Sequence, residues 1–355
     1  MNIHWAIPDL QEEDKQAAID VLQSNWLSMG PVVKKFEESL SEYLNIKYAV
    51  ATNNGTSSLD IALKCLDIKQ GDEVILPALT YIATGNAVLY NNGTPIFVDI
   101  DDTLNIDPLK IEEKITDKTK AIINIDFGGN VCDYTSLEKI SNTYDIPLVV
   151  DGAHSLGSVF KDKKCCSHGL INTTSFHAAK ILTTIEGGMI FTDNIEIYDK
   201  SIQIRNQGES TKYIHNYLGN NYRMTDLIAA IGLNQVQRLD NTIQIQRKKA
   251  EFYKEHLQNV KFPKSLPNTV NCYLFFPILT DKRDQLYSHL QKEGIETRIT
   301  FPLPLYDQPI FKNYKMDRCP NTEKISQTIL SLPIYTKISS KEQEYIVRKI
   351  NDFLK

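Results

Sequence analysis

The 355-residue sequence lacks the features of membrane and secreted proteins. No stretch approaches the roughly eighteen uninterrupted apolar residues of a membrane-spanning helix, and the first residues show no basic region followed by an apolar one. The six cysteines include no C-x-x-C pair, so neither a disulfide framework nor a zinc site is indicated. We therefore expect a soluble, cytoplasmic protein with no membrane partner and no bound metal.

The sequence also lacks a basic block and a dinucleotide-binding fingerprint. Its 39 Lys and Arg residues and 44 Asp and Glu residues give a formal net charge of -5, and both signs are spread along the chain. Nucleic acid is therefore not expected as a partner. No G-x-G-x-x-G follows the first predicted strand, which disfavours a nicotinamide-dependent oxidoreductase.

What the sequence does contain is a strand-helix-strand pattern. Residues 121–125 and 147–150 are nearly continuous apolar runs on either side of a helical pattern at 134–144. Such runs are typical of parallel strands that are buried on both faces. The chain is therefore predicted to adopt an α/β fold with a mainly parallel central sheet flanked by helices. Further strands are predicted at residues 48–52, 71–77 and 187–192.

The length and the 42% apolar content accommodate a large domain and a smaller one. We place the boundary between residues 1–240 and 241–355, because a helix predicted at 227–237 is followed by a separate basic helix at 247–257. The second part is predicted to be a small α/β domain. Its expected elements are strands at 272–279 and 296–300 and helices at 282–293, 326–332 and 341–354.

One lysine lies in a polar stretch between two predicted strands. Residues 175–188 contain Lys180, with small residues before it and the pair Gly187-Gly188 after it. A lysine that forms a Schiff base must be accessible to an aldehyde and partly desolvated, because the neutral amine is the nucleophile. An isolated lysine is more often a surface charge, so this interpretation depends on the rest of the chain.

Three other positions supply what a site for pyridoxal 5'-phosphate (PLP) requires. Asp151 follows an apolar strand, where a buried carboxylate needs a cationic partner such as a protonated pyridine nitrogen. The turn Asn54-Gly55-Thr56 precedes a helix predicted at 59–66 and suits a phosphate, although such residues also serve as ordinary helix caps. Tyr81 follows another strand, at the edge where a ring can stack on a flat cofactor.

In their order and spacing, these motifs resemble those of the DegT-type nucleotide-sugar aminotransferases, which belong to fold type I of the PLP-dependent enzymes. The resemblance covers almost the whole chain and implies a large PLP-binding domain followed by a smaller C-terminal α/β domain. The matching segments are Trp26-Leu-Ser-Met-Gly-Pro31, Asn54-Gly-Thr56, Gly71-Asp-Glu-Val74, Pro77 with Thr80-Tyr81, Asp151-Gly-Ala-His154, Ser175-Phe-His177 with Lys180, Glu186-Gly-Gly188, Asn221-Tyr-Arg-Met224, Gly294-Ile-Glu-Thr-Arg298 and Leu330-Ser-Leu-Pro333.

The resemblance implies a role for each matching site residue. Lys180 is expected to form the Schiff base with PLP, and Asp151 to bind the pyridine nitrogen. The other expected cofactor contacts are Gly55, Thr56 and Ser175 to the phosphate, Tyr81 on the ring face and His154 at the ring hydroxyl. Asn221 would complete the phosphate site of a neighbouring subunit. An obligate homodimer with sites at its interface is therefore implied.

The activity implied by the resemblance is transfer of an amino group from L-glutamate to a keto-sugar nucleotide, with pyridoxamine phosphate formed during the cycle. Such reactions make the amino sugars of surface polysaccharides or secondary metabolites. The segments at 186–188 and 221–225 are similar to those of members that aminate C4, which favours a 4-keto-6-deoxy sugar. Tyr306 stands where many relatives have histidine, so the identity of the sugar stays open.

Three alternatives remain open at this point. A C3-specific keto-sugar aminotransferase would have the same fold and cofactor. A sugar dehydratase of the same fold would carry a histidine in place of the lysine, so Lys180 argues against it. A non-catalytic relative would not need Lys180 and Asp151 together.

Overall fold

The computed structural model describes residues 1–314 and 317–355, which contain eleven α-helices and fourteen β-strands. The helices are α1 (Glu12–Ser24), α2 (Pro31–Leu44), α3 (Gly55–Cys65), α4 (Ile82–Tyr90), α5 (Pro108–Ile111), α6 (Tyr134–Tyr144), α7 (Ile195–Arg205), α8 (Asp226–His256), α9 (Arg283–Lys292), α10 (Pro320–Thr328) and α11 (Ser340–Leu354). The strands are β1 (Tyr48–Thr52), β2 (Glu73–Pro77), β3 (Thr94–Val98), β4 (Thr119–Ile125), β5 (Leu148–Asp151), β6 (Val159–Phe160), β7 (Lys163–Lys164), β8 (Ile171–Ser175), β9 (Gly188–Thr192), β10 (Glu209–Thr211), β11 (Ile214–His215), β12 (Thr269–Val270), β13 (Phe276–Leu279) and β14 (Ile329–Leu332).

A seven-stranded sheet forms the centre of the protein, in the order β1-β9-β8-β5-β4-β2-β3. The strands from β8 to β3 pair in parallel, whereas β9 pairs antiparallel with both β1 and β8. The predicted α/β fold with a mainly parallel sheet is therefore confirmed. Two antiparallel pairings separate β1 from β8, so β1 runs in the same direction as the parallel strands. The carboxyl ends of β1, β2, β5 and β8 consequently meet at one edge of the sheet.

The continuous apolar runs are explained by burial of the sheet on both faces. Ile122 of β4 and Val150 of β5 pack with Leu137 of α6 on one face. The next residue on β4, Ile123, packs on the other face with Ile61 of α3. Because successive side chains of a strand point to opposite faces, a strand covered by helices on both sides must be apolar throughout.

The predicted break between two helices near residue 240 is wrong, because α8 runs without interruption from Asp226 to His256. Leu239 and Ile243 are buried and continue the apolar face of the helix through this segment, which contains neither glycine nor proline. The division into domains at 240 and 241 stays a prediction. Neither α8 nor any other helix within residues 1–314 and 317–355 is long and apolar enough to cross a membrane.

The C-terminal part differs from the prediction in two elements. Residues 329–332 were expected to be helical, but they form β14 and pair antiparallel with β13. All four are buried, which suits a strand between two packed layers better than a one-sided helix. The strand expected at 296–300 is reduced to a single bridge between Arg298 and Ser331. The amino terminus also joins this part of the protein, because Ile3 pairs with Ile295.

Candidate active site

A cavity of about 980 Å³ lies at the edge of the sheet where β1, β2, β5 and β8 end. Its volume is near the upper end of the range of about 300–1,000 Å³ that is usual for ligand pockets. Residues 298–301 line it from the C-terminal part. Seven of the eight site residues expected from the sequence also line it, namely Gly55, Thr56, Tyr81, Asp151, His154, Ser175 and Lys180.

Lys180 lies in the turn that connects β8 to β9. Two backbone hydrogen bonds close this turn: the N–H of Phe176 donates to the carbonyl of Gly187 (2.8 Å), and the N–H of Thr184 donates to the carbonyl of Phe176 (2.9 Å). The Phe176 ring is fully buried and packs against Phe36 of α2, with 5.2 Å between ring centroids. These contacts anchor the backbone on both sides of the lysine.

Gln235 of α8 provides a second anchor for the same turn. Its side-chain oxygen accepts from the N–H of Thr183 (2.9 Å), and its side-chain N–H donates to the carbonyl of Thr183 (2.8 Å). Both residues are buried, so the pair satisfies peptide groups that water does not reach. Sequence analysis did not identify Gln235, although a glutamine on the buried face of a helix is a signal that could have been followed.

Burial changes the acid-base behaviour of Lys180. Its side chain is partly buried, and desolvation of the ammonium group lowers the pKa of Lys180 from the ordinary 10.5 to about 8. The negative charge of Asp151 acts in the opposite direction and is the smaller effect. A neutral amine is therefore accessible only slightly above neutral pH, and the neutral amine is the form that attacks a carbonyl carbon.

Asp151 is a buried carboxylate at the end of β5, with 3% of its surface exposed. The hydroxyl of Thr84 donates to one carboxylate oxygen (2.9 Å), and the N–H of Ala153 donates to the other (3.2 Å). Within residues 1–314 and 317–355, no cation forms a salt bridge with Asp151 inside 4.0 Å. Burial raises the pKa of Asp151, while the two hydrogen bonds oppose that shift. The site is therefore suited to a cationic group that would compensate the carboxylate.

His154 is held as a neutral ring in the same cavity. The N–H of Gly128 donates to Nδ1 of His154 at 3.3 Å, which leaves the ring proton on Nε2. Burial lowers the pKa of His154 well below its ordinary value, and the charge of Lys180 acts in the same direction. The ring of Phe275 packs against it, with 4.7 Å between centroids. His154 can therefore donate a hydrogen bond through Nε2 without carrying a charge.

The amino terminus of α3 approaches the end of β8 closely. The helix begins at Gly55, four residues earlier than predicted, because the side chain of Asn54 caps it by accepting from the N–H of Ser57 (2.9 Å). A Cβ atom at Gly55 would lie 2.8 Å from Cβ of Ser175, so a larger residue would separate the helix from the strand. The free N–H groups of this first turn suit a phosphate group.

Tyr81 and Asn221 differ in their relation to the cavity. Tyr81 precedes α4 directly and is 56% exposed as a residue, with the ring of Phe301 at 6.1 Å between centroids. A flat group can therefore contact a free face of the ring. Asn221 is exposed and does not line the cavity of its own chain. Its backbone pairs with Asn206, while the hydroxyl of the next residue, Tyr222, donates to Asp60 (2.9 Å).

Two further residues that line the cavity, Arg298 and Trp5, and one that contacts Asp151, Thr84, were not assigned a role from the sequence. Thr84 contacts Asp151 from the third position of α4, three residues after Tyr81, a spacing that could have signalled a shared helix face. Arg298 is an exposed residue that lines the cavity, with its guanidinium carbon 5.8 Å from the centroid of the Trp5 ring. Arg298 belonged to a matching segment without an expected role, and nothing local indicated Trp5.

The cavity fits PLP on the observations of this structure. The carboxylate of Asp151 is buried, has no salt-bridge partner within 4.0 Å among the described residues, and can compensate a protonated pyridine nitrogen. The approach of Gly55 to Ser175 leaves the first turn of α3 open to a phosphate. The lowered pKa of Lys180 provides an amine for the aldehyde group.

Comparison with known proteins gives concordant results. GDP-perosamine synthase of Escherichia coli O157:H7 is 36% identical over 98% of this chain and 97% of its own length. The dTDP-3-amino-3,6-dideoxy-alpha-D-galactopyranose transaminase of Aneurinibacillus thermoaerophilus is 34% identical over 97% of this chain and 96% of its own. The PLP form of Spr1654 from Streptococcus pneumoniae superposes with a TM-score of 0.94 at 28% identity, over 99% of this chain and 98% of that one.

The similarity extends over the cavity as well as the scaffold. Residues 8–351 match the family described as DegT/DnrJ/EryC1/StrS aminotransferases, and this range contains all eight expected site residues. The fold type expected from the sequence, the PLP cofactor and aminotransferase activity are thereby confirmed. The chain belongs to the DegT/DnrJ/EryC1/StrS aminotransferase family.

Proposed function

We propose that this PLP-dependent aminotransferase moves an amino group from L-glutamate to a keto-sugar nucleotide in the biosynthesis of amino sugars. The observation that carries the proposal is the meeting of Lys180, Asp151 and His154 in one cavity that is large enough for a cofactor and part of a sugar nucleotide. The acceptor that we favour is a 4-keto-6-deoxy sugar.

Lys180 is proposed as the group that binds the cofactor aldehyde and then moves the proton during amino transfer. PLP, when bound, supplies the reactive carbonyl and an electron-withdrawing ring. An amine with a pKa of about 8 can both accept and donate a proton near neutral pH. The anchored turn around it supports a constant position of its backbone during both roles.

The remaining roles follow from the chemistry of each side chain. Asp151 would hold the protonated ring nitrogen, because its buried carboxylate has no other cation within 4.0 Å among the described residues. His154 would donate Nε2–H to the ring hydroxyl, and Tyr81 would stack on the ring. Gly55, Thr56 and Ser175 would bind the phosphate at the start of α3, where free N–H groups favour an anion.

Arg298 is proposed to bind a carboxylate of the amino donor. Among the described residues that line the cavity, Lys180 and Arg298 are the two lysine or arginine side chains, and Lys180 is needed for the chemistry. The guanidinium of Arg298 lies over Trp5, and its planar group suits bidentate binding of a carboxylate. The choice of L-glutamate is supported by this placement and by the family resemblance.

Calorimetric titration with glutarate, an unreactive dicarboxylate, tests the donor site. We expect Arg298→Gln in the PLP-bound enzyme to weaken glutarate binding about tenfold or more, because a charged hydrogen bond is lost. Arg348→Gln is the matched control, since Arg348 also lies over a ring, that of Tyr345 at 5.4 Å, but does not line the cavity. Equal affinity of wild type and Arg298→Gln would exclude this role.

The acceptor is tested with a panel of 3-keto and 4-keto sugar nucleotides carrying UDP, dTDP or GDP. We expect an amine at C4, located by NMR, in the presence of L-glutamate. The two relatives differ in the nucleotide of their sugar, and one is named for a 3-amino sugar, so C3 amination is the alternative function. Glu186, from the segment that favours C4, lines the cavity. Amination confined to C3 would overturn the C4 assignment. If the enzyme aminates none of the sugar nucleotides in the panel, the proposed acceptor class is wrong.

We also propose a homodimer in the cytoplasm. Asn221 is exposed and lies outside the cavity of its own chain. This position is expected for a residue that completes the phosphate site of a neighbouring subunit. All six cysteines are buried free thiols, which is compatible with a reducing compartment. Sedimentation analysis and cell fractionation test these two statements separately, and a monomer that is fully active would contradict the shared site.

A further inference from the structure

Asp151 contacts the hydroxyl of Thr84 in the first turn of α4, and this hydroxyl contacts that of Thr80, which lies just before the helix. Oγ1 of Thr84 lies 2.9 Å from a carboxylate oxygen of Asp151, and Oγ1 of Thr80 lies 2.9 Å from Oγ1 of Thr84. All three residues are buried, with at most 3% of their surface exposed. Water therefore does not compete for these hydrogen bonds.

The direction of the hydrogen bonds follows from the charge at one end. An ionised carboxylate can only accept, so Thr84 must donate its hydroxyl proton to Asp151. A hydroxyl that has donated its proton still has lone pairs, and Thr80 is the donor that faces them. The other oxygen of Asp151 accepts from the N–H of Ala153 (3.2 Å). The carboxylate is thus held at both oxygens.

We propose that Thr84, supported by Thr80, is a positioning residue that holds the carboxylate of Asp151 ionised and oriented toward the pyridine nitrogen of PLP. The inference rests on the proposed role of Asp151. Tyr81, which is proposed to stack on the ring, precedes the same helical turn. One turn of α4 would therefore control both the stacking contact and the charge at the ring nitrogen.

Burial and the hydrogen bond from Thr84 act on the carboxylate in opposite directions, and the N–H of Ala153 and the charge of Lys180 act in the same direction as Thr84. Burial favours the neutral acid and raises the pKa of Asp151, whereas the hydrogen bond from Thr84 favours the ionised form. Loss of a hydrogen bond to a charged group corresponds to about a tenfold or larger change in an equilibrium constant. Because only the ionised form compensates a protonated ring, the loss is expected to weaken cofactor binding.

The test measures PLP binding to the apoprotein by quenching of its intrinsic fluorescence, so no turnover is needed. We expect the Kd of PLP to rise about tenfold in Thr84→Val, which keeps the shape but removes the hydroxyl. Thr84→Ser should restore the Kd to within about twofold of wild type, since it restores the donor. Thr192→Val is the matched control, because Thr192 is a buried threonine whose hydroxyl bonds to the Leu170 carbonyl (2.8 Å) away from the cavity.

The same titration in an Asp151→Asn background separates positioning from packing. If Thr84 acts through the carboxylate, adding Thr84→Val to Asp151→Asn should change the Kd by less than about twofold. An equal loss in both backgrounds, or a wild-type Kd in Thr84→Val, would overturn the inference. If Thr84→Val does not fold, Thr84→Ala and Thr80→Val are titrated instead, and a wild-type Kd in both would overturn it equally.

These outcomes are distinct from failure of the proposed function. If the wild-type protein binds PLP but aminates no sugar nucleotide, the proposed acceptor class is wrong. The PLP titrations of the Thr84 variants still test the role of Thr84 in that case, because they need no turnover. Conversely, an enzyme that aminates 4-keto sugars, while Thr84→Val binds PLP as tightly as wild type, contradicts only the inference on Thr84.

Discussion

Burial shifts the pKa values of two charged residues that line the cavity in opposite directions. It lowers the pKa of Lys180 and raises the pKa of Asp151, so it favours the uncharged form of each. For Lys180 this is useful, because the neutral amine reacts. For Asp151 it is a cost to the apoprotein that a cationic ring nitrogen would offset.

The first prediction concerns the pH dependence of cofactor capture by Lys180. Since the pKa of Lys180 is lowered to about 8, the neutral fraction and the rate of PLP capture by the apoprotein should rise with pH and level off above about pH 8. Stopped-flow absorbance across pH 6–10 measures this. A rate still rising toward the ordinary pKa of 10.5 would contradict it.

Borohydride reduction identifies the lysine directly. We expect a single pyridoxyl adduct on Lys180 after peptide mapping, and an adduct on Lys161, Lys163 or Lys164 would show the assignment to be wrong. Lys180→Ala should still bind PLP through the contacts at α3, yet lose turnover by about a hundredfold or more, because the group that moves the proton is gone.

Asp151→Asn should reduce activity and stabilise the apoprotein at the same time. Removal of the charge at the ring nitrogen is expected to reduce kcat by about a hundredfold or more. In the apoprotein, a carboxyl whose folded pKa is raised loses stability as pH rises from the ordinary pKa of 3.8 through the raised value. Wild type should therefore lose stability in this window, and Asp151→Asn should not.

Urea denaturation of both apoproteins from pH 3 to pH 8 checks the second part, with circular dichroism to verify that the variant is folded. The difference in unfolding free energy should grow in favour of Asp151→Asn as pH increases. If this difference is constant with pH, ionisation of Asp151 does not destabilise the folded apoprotein, and the prediction is wrong.

At the scale of elements, α8 joins the parts that surround the cavity. Its Asp226 accepts from the N–H groups of Gly30, Val32 and Val33 at the start of α2, and its Gln235 binds the turn of Lys180. α4 has a similar position, since Thr84 reaches Asp151 from its first turn. Each helix is thus connected to the site by a polar side chain, Gln235 from α8 and Thr84 from α4.

We predict that Gln235→Leu destabilises the protein by about 2–5 kcal/mol, because it leaves a buried N–H and a buried carbonyl of Thr183 without partners. Denaturant unfolding measures the change. Gln237→Leu, at an exposed position of the same helix, is the control and should stay within about 0.5 kcal/mol of wild type. Equal stability of the two variants would contradict the role of Gln235 as an anchor.

At the scale of the whole molecule, the amino-terminal residues contribute to the cavity, and the proposed dimer would complete the phosphate site. The first residues pack against the C-terminal part through Ile3, and they carry Trp5 to the cavity under Arg298. Asn221 is exposed on the outside of its own chain. The proposed dimer would bring it to the phosphate of a second subunit.

Mixed dimers test this arrangement. If Asn221 acts across the interface, then a dimer of an Asn221→Ala chain and a Lys180→Ala chain contains one site with both residues intact and one site without either. We expect activity to recover to a substantial fraction of one wild-type site after subunit exchange. No recovery, with exchange demonstrated by tagged subunits, would place Asn221 outside the partner's site.

Much of the site was predictable because its residues follow strand ends. Asp151 and Ser175 are the last residues of β5 and β8, and Tyr81 lies four residues beyond β2. Parallel strands of a twisted sheet place such positions at one edge. Local patterns were less informative in the C-terminal part. There β14 was mistaken for helix, since a short apolar run fits either element until its partner strand is known.

The sequence by itself determined the α/β fold, the position of Lys180 between two strands and the family to which the chain belongs, because strand periodicity and motif spacing are local properties. Only the tertiary structure decided which distant residues support the site. Thr84 contacts Asp151 across 67 positions, and Gln235 contacts Thr183 across 52. Local periodicity contains no information about such pairs, because they form only when helices and sheet pack and exclude water from the polar groups between them.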